Sequence, residues 1–267
     1  MKKTIFIAAA LVAMTACNKS IIEVSPAEEF GTINLGITAD TEMVVTKGII
    51  TEEDLKGYNI TLKKEGNVVE GWPKEYETIE DADWKVSAGS YSIYVENLTV
   101  EEAYSDTKGT VRVSGETQVT VTAGISSSCT VACEPQNSMV SFMYSPDFDT
   151  VFDEPAVQVH ADAITVNGFE LNERDLDMTV GSSHSEDNAA YFEPDNLIWT
   201  LTAKLGSETK TYSSKFDTQK DKWTQITFTT GSTDGQINVT ITVDGEITET
   251  HTITATIDPI DGTVNQE

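Results

Sequence analysis

Short runs in which every second residue is apolar fill most of this 267-residue chain. Ile33, Leu35 and Ile37 alternate with polar residues, as do Tyr58, Ile60 and Leu62, then Tyr91, Ile93 and Val95. Val111 and Val113, Val119 and Val121, and Cys129, Val131 and Cys133 continue the pattern. A strand turns successive side chains to opposite faces, so a period of two predicts half-buried strands paired antiparallel. No long segment repeats at the 3.6-residue period of a helix. Glu52 to Lys56 and Thr99 to Ala103 each suffice for a single helical turn. The fold class this predicts is all-β.

Glu134-Pro135-Gln136-Asn137 interrupts the alternation and marks a domain boundary. Beyond it Val140, Phe142 and Tyr144 alternate, then Val157 and Val159, and Ile164 and Val166 lead into Asn167-Gly168. Leu197, Trp199, Leu201 and Ala203 form one apolar face, and Ile226 and Phe228 another. Ile237, Val239, Ile241 and Val243 run into Asp244-Gly245, from which a last strand leaves. Asp-Gly between two alternating runs suits a two-residue type I′ hairpin. Glu65-Gly66-Asn67 and Ala88-Gly89-Ser90 carry turn chemistry in the first half. Many short strands at this spacing predict sandwiches rather than βαβ units. The expected division is an N-terminal β-sandwich over 30–135, a C-terminal one over 136–260 and a polar tail over 261–267.

The N-terminus gives the address. Lys2 and Lys3 precede a short apolar block from Thr4 to Met14, too short for the roughly 20 apolar residues a spanning helix needs, and suited to a secretory leader. Met14-Thr15-Ala16-Cys17 resembles a bacterial lipobox, with Met14 where Leu is usual. That resemblance implies a signal peptide over 1–16 and lipid on Cys17, an anchor stronger than a single acyl chain. Residues 17–29, polar with Pro26, read as a tether. The remaining chain is then extracytoplasmic, in the cell envelope on the periplasmic or outer face of an outer membrane. Cys129 and Cys133 lie roughly 13 Å apart if extended, at about 3.3 Å per residue. A disulfide needs about 7 Å, so they read as buried thiols.

The chain has 17 Lys and Arg against 44 Asp and Glu. Such a surplus repels nucleic acid and anionic head groups, which excludes nucleic acid as a partner.

The leader is followed by one strand and Val44-Val45-Thr46-Lys47-Gly48, then by Trp84-Lys-Val-Ser-Ala-Gly-Ser-Tyr-Ser-Ile-Tyr-Val95, and later by Ala190-Tyr191-Phe192 ahead of a long strand pair. This order resembles Bacteroidetes cell-envelope lipoproteins of domain-of-unknown-function family 4493, which are broadly similar to the fimbrillin-like proteins. The resemblance implies two β-sandwich domains, immunoglobulin- or transthyretin-like, and no catalytic residues. It also draws attention to Lys47, the first basic residue after the tether. In polymerising fimbrillins a protease cuts after a basic residue behind the first strand, and a strand from another subunit fills the groove by β-strand addition. Lys47 and Gly48 resemble such a processing site; the plainer alternative is a solvated turn with Gly48 in a glycine conformation.

Candidate chemistry is sparse. No histidine has a Gly-x-Ser-x-Gly elbow beside it, so a hydrolase is the least favoured of three functions. His160 is expected to face solvent, His184 to lie in a loop and His251 to be partly buried. Asp147, Asp149 and Asp153 cluster where a weak calcium site fits, although a solvated acidic loop is the plainer reading and no EF-hand spacing is present. Trp72 and Tyr76 are the candidates for aromatic stacking on a glycan, with Trp72 expected to be exposed and Trp199 in the core. Asp149-Thr150-Val151 resembles a short O-glycosylation motif, making Thr150 its acceptor. No cofactor motif is present. The favoured function is a non-enzymatic, lipid-anchored envelope or surface protein, fimbrillin-like or adhesion-like, and a glycan-binding accessory lipoprotein is the alternative. Expected partners are the membrane through the lipid, other envelope or fimbrial proteins, and glycan.

Overall fold

The structure, a computed structural model, describes residues 30–39, 55–231, 236–244 and 246–254. Cys17, Lys47 and Gly48, with the leader, tether and tail, lie outside the described residues. The described chain is nearly all strand. Its first half runs β1 (Phe30–Ala39), β2 (Asn59–Lys64), β3 (Asn67–Val68), β4 (Lys74–Glu75), β5 (Lys85–Ser87), β6 (Gly89–Glu96), α1 (Val100–Ala103), β7 (Val113–Val121) and β8 (Ser126–Pro135). Its second half runs β9 (Ser138–Tyr144), β10 (Asp153–Ala161), β11 (Ile164–Val166), β12 (Phe169–Leu171), β13 (Arg174–Met178), β14 (Val180–Gly181), β15 (Ala189–Phe192), β16 (Asn196–Leu205), β17 (Glu208–Asp217), β18 (Trp223–Thr230), β19 (Gln236–Val243) and β20 (Glu246–Thr254).

The first half is an eight-stranded sheet in the order β3-β2-β6-β7-β8-β1-β5, with β4 on β2. It folds on itself at β7 and β8, which pair only at Val113–Pro135 and Ser114–Glu134. Two layers result, and their inner faces share one core. Ile60, Leu62, Ile93 and Val95 from one layer and Ile33 and Val131 from the other are all but inaccessible. Cys133 is buried and Cys129 half-buried, both as free thiols on β8. Ala88-Gly89 does not close a hairpin: β5 pairs with β1 while β6 pairs with β2 and β7, so the chain changes layer there, with Gly89 at φ +149°.

The second half pairs the sheet β13-β10-β16-β17 with the sheet β14-β9-β18-β19-β20, to which β15 adds on β9. One cluster between them holds Trp199 and Leu201 from the first sheet and Phe142, Phe228, Ile237 and Val239 from the second. Phe142 stacks on Phe228 at 5.9 Å, and Trp199 meets Phe228 edge-on at 5.0 Å. Such aromatic pairs add to area burial by about 0.5–1.5 kcal/mol each.

Three two-residue connections show the turn chemistry that their sequences imply. Glu65 and Gly66 sit at φ +51° and +80° between the paired Lys64 and Asn67. Asn167 and Gly168 sit at +51° and +84° between Val166 and Phe169. Asp244 sits at +49° where Val243 pairs with Glu246. Type I′ turns need positive φ at both central residues. The helical turn at 99–103 forms as well, closed by a capping box in which Thr99 and Glu102 satisfy each other's backbone N–H.

The expectation of antiparallel pairing throughout is corrected at three places: β1 runs parallel to β8, and β9 runs parallel to both β18 and β14. Period two reports that one face is buried. It carries no information about strand direction, which the connections decide. None of the helices among the described residues is long and apolar enough to cross a membrane.

Gly115 sits on β7 one position past the corner, where an added Cβ would lie 2.2 Å from the Ala132 carbonyl oxygen on β8. Gly115→Ala pushes two backbones apart and should cost about 1–3 kcal/mol. Thermal unfolding of the variant tests this; an unchanged midpoint contradicts the tight corner.

Candidate functional site

The two halves meet through buried polar groups. Gln136 and Asn137 connect β8 to β9, and Asn137 is fully buried. Its Oδ1 accepts from the Arg112 backbone N–H at 3.1 Å, and its Nδ2 donates to the Thr110 carbonyl at 2.9 Å and the Tyr104 hydroxyl at 3.3 Å. The Arg112 side chain crosses to Glu193, donating to its two oxygens at 3.0 and 3.2 Å. Arg112 is 2% exposed and Glu193 8%. Tyr104 also donates to Glu193, at 3.2 Å, and its own ionisation is pushed well up by burial and then by the Glu193 charge. The segment after α1 clasps β15: the Tyr191 N–H donates to the Lys108 carbonyl at 2.7 Å, and Lys108 Nζ reaches the Asp187 carbonyl at 2.9 Å. Gly109 permits this contact, at φ +71° with the Tyr104 ring and the Tyr191 carbonyl where a Cβ would be.

A cleft of about 470 Å³ opens beside this junction. Its walls are the end of α1 and the following loop on one side, and the β11–β12 hairpin with the start of β13 on the other. Arg174 lies in its lining, its guanidinium carbon 4.6 Å from the centre of the Phe192 ring and 5.1 Å from that of Tyr104, donating to the Tyr191 carbonyl at 2.5 Å. Cation–π contacts of this kind are stronger when desolvated, and burial holds Arg174 below the usual guanidinium range.

The expected site residues fall elsewhere. Trp72 is half-buried rather than an exposed platform, because its indole leans on Trp84 with ring centres 5.3 Å apart and packs on the first core. Lys74 Nζ lies 5.8 Å from the Trp72 ring, and Tyr76 is half-buried against the same core. The calcium expectation is corrected. Among the described residues no three His, Cys, Asp or Glu side chains come together to hold a metal ion. Asp147 instead spends its two oxygens on the hydroxyls of Ser145 at 2.5 Å and Thr230 at 2.7 Å. Asp149, Thr150 and Val151 are exposed, with the Thr150 hydroxyl donating back to the Asp147 carbonyl at 2.6 Å. Trp199 is in the core.

His160 is partly exposed between Asp175 at 2.9 Å and Asp162 at 3.1 Å, and those hydrogen bonds raise its pKa. His251, on β20, pairs in register with Val239 on β19. His184 departs most from expectation. It reaches from its loop to Ser141 Oγ at 2.9 Å and Thr227 Oγ1 at 3.1 Å, while Trp223 Nε1 donates to the same Ser141 oxygen at 2.8 Å. The arrangement suits a neutral imidazole that accepts at Nδ1 and donates at Nε2. Burial pushes its pKa down to about 4. Ser141 is wholly buried, so this serine–histidine contact ties β9 to β18 and presents no nucleophile to a substrate. No signal in Gly181-Ser-Ser-His-Ser-Glu-Asp-Asn188 announces it. The junction cleft was equally silent, since its walls lie some 70 positions apart in sequence.

The described residues thus form an all-β protein of several packed sheets, with a cleft where its two halves meet. It belongs to the family described as Domain of unknown function (DUF4493), whose model matches residues 29–259. No curated protein matches the chain. Solved structures similar to it include a fimbrial assembly protein from Parabacteroides distasonis, at 13% identity over 82% of this chain and 98% of the other, with a TM-score of 0.49. A protein from Bacteroides eggerthii provisionally named a cell adhesion protein matches at 14% identity over 82% and 97%, with a TM-score of 0.47. Proteins from Bacteroides thetaiotaomicron provisionally named polysaccharide binding proteins match at 10% identity over 81% and 97%, with a TM-score of 0.48. Likeness at this level carries no inference about what this chain binds.

Two outcomes follow. Glu193→Ala strands the Arg112 charge in the junction and should cost about 3–5 kcal/mol in urea unfolding, whereas Arg112→Met with Glu193→Leu should recover most of it; equal losses in both would contradict a paired buried charge. His184 contributes stability that is complete above its ordinary pKa of 6.5 and declines as the pH falls toward 4, because the unfolded chain takes up the proton first. For a half-buried ring this amounts to on the order of 1–2 kcal/mol. His184→Gln should flatten the stability profile between those pH values, and a profile unchanged by the substitution would remove His184 from the account.

Proposed function

We propose that this chain is a non-enzymatic, lipid-anchored envelope protein. Its two β-sandwich domains, 30–135 and 136–260, stand on a tether over 17–29 and act through their surfaces in adhesion or in a fimbria-like assembly. The observation that carries this reading is Met14-Thr15-Ala16-Cys17, placed directly behind a leader-length apolar block. Lipid on Cys17 would hold the protein at a membrane that no described helix could cross. Membership of a family that resembles the fimbrillin-like proteins supports the assembly role.

Glycan contact is the second reading. The partly exposed Trp72 ring beside Lys74 favours it, since an indole face can stack on a sugar while a lysine donates to hydroxyls. Thr150 is proposed as an O-glycan acceptor on the exposed loop after β9.

Mass spectrometry of the mature N-terminus in purified envelope tests the main reading. A diacylated or triacylated Cys17 is the expected result. A free Gly48 would mean that β1 is discarded, replacing permanent anchoring by strand exchange with a partner. The same spectra report on Thr150, where the unmodified peptide alone would end that assignment.

A further inference from the structure

The junction cleft has features that neither anchoring nor glycan contact requires. Its volume of about 470 Å³ falls in the range of pockets that enclose a ligand, about 300–1,000 Å³. One wall is the β11–β12 hairpin, which forms a two-stranded sheet of its own. Among the described residues neither strand pairs with a third, so each keeps a row of open backbone N–H and C=O groups. Ile164, Phe169 and Leu171 on this hairpin are half-buried and line the cleft. Their apolar face has no full second layer over it.

Carboxylates outnumber bases around this apolar floor. Carboxylates line both walls, Glu101 and Asp106 from the first half and Glu173 from the second, with Glu170 on the other face of the hairpin. Arg174 is the only base among the described residues of the lining; its guanidinium lies against the two aromatic rings, donates to the Tyr191 and Thr107 carbonyls and makes no ion pair with Glu101 or Glu173. Glu101, Glu170 and Glu173 make no ion pair or side-chain hydrogen bond among the described residues, and all three are exposed. A site that buries aliphatic surface beneath unneutralised carboxylates complements an aliphatic stem ending in a cation.

We propose that the cleft receives a short polypeptide segment of a partner protein in which a lysine or arginine is flanked by apolar residues. The basic head meets Glu173 and Glu101, the apolar neighbours cover Ile164, Phe169 and Leu171, and the backbone pairs with an open edge of the hairpin. Main-chain pairing supplies affinity and the side-chain pockets supply specificity. The open edges favour a polypeptide over a free alkyl cation, which cannot use them. The inference does not depend on lipid at Cys17, so the two stand or fall separately.

The test is a titration of the whole mature chain, labelled at its Ile and Leu methyls, with the capped peptide acetyl-Gly-Leu-Lys-Leu-Gly-amide. The controls are the same peptide with norleucine for lysine, and 1,5-diaminopentane. The expected result is a shift of the Ile164 and Leu171 methyls with the lysine peptide. Binding should weaken about tenfold with norleucine and again when salt rises from about 50 to 500 mM. Glu101→Gln with Glu173→Gln, both on the surface, should weaken the lysine peptide about five- to tenfold, and a melting temperature equal to that of the parent shows that the fold is kept. Equal binding of lysine and norleucine peptides would overturn the charge argument. Diaminopentane binding as tightly as the peptide would overturn the polypeptide occupant. The absence of any methyl shift at millimolar peptide, or shifts confined to other methyls, would overturn the site.

Discussion

Asn137 carries two amide donors and an acceptor on a fully buried side chain. It meets that demand with the Arg112 backbone, the Thr110 carbonyl and the Tyr104 hydroxyl, all from the first half, while standing at the start of the second. Arg112 does the reverse, carrying a guanidinium from the first half to the Glu193 carboxylate of the second. A buried amide or charge without partners costs more than most single contacts contribute. Each half therefore depends on the other for the satisfaction of groups it has already removed from water. The junction cleft, the clasp around β15 and the placement of Arg174 all follow from that mutual satisfaction.

Within each half the stabilising principle is different and simpler. Alternating strands turn their apolar residues to one side and two layers close over them. The His184 chain of hydrogen bonds is the polar exception in the second sandwich. It ties a loop to β9 and β18 through Ser141, Thr227 and Trp223. Its chemistry is that of a serine beside a base, but burial of the serine turns the same atoms into a fastening.

Much of the fold was legible because burial leaves a mark of fixed period. Ile60 and Leu62, Ile93 and Val95, and Trp199 and Leu201 were placed on core faces by alternation alone, and all are buried. The Asp244 turn and the Thr99 cap were legible because their residue types answer a backbone need. β17 leaves only a faint alternation in the sequence because only Tyr212 and Phe216 of its ten residues are buried apolars. Trp72 was misjudged as exposed because nothing local predicts that Trp84 would lie against it. Asp147 was read toward calcium when its true partners, Ser145 and Thr230, include one that is 83 positions away.

The sequence by itself determined the fold class: the acidity, the strand faces and the turns at Glu65-Gly66 and Asn167-Gly168 are local, and local residue chemistry is enough to state them. Tertiary structure alone decided strand direction, the crossing of layers at Gly89, the serine–histidine fastening and the cleft between the halves. Those features join residues far apart along the chain, so no short stretch of it contains them. They exist only once two buried cores have brought Arg112 to Glu193 and Tyr104 to Arg174.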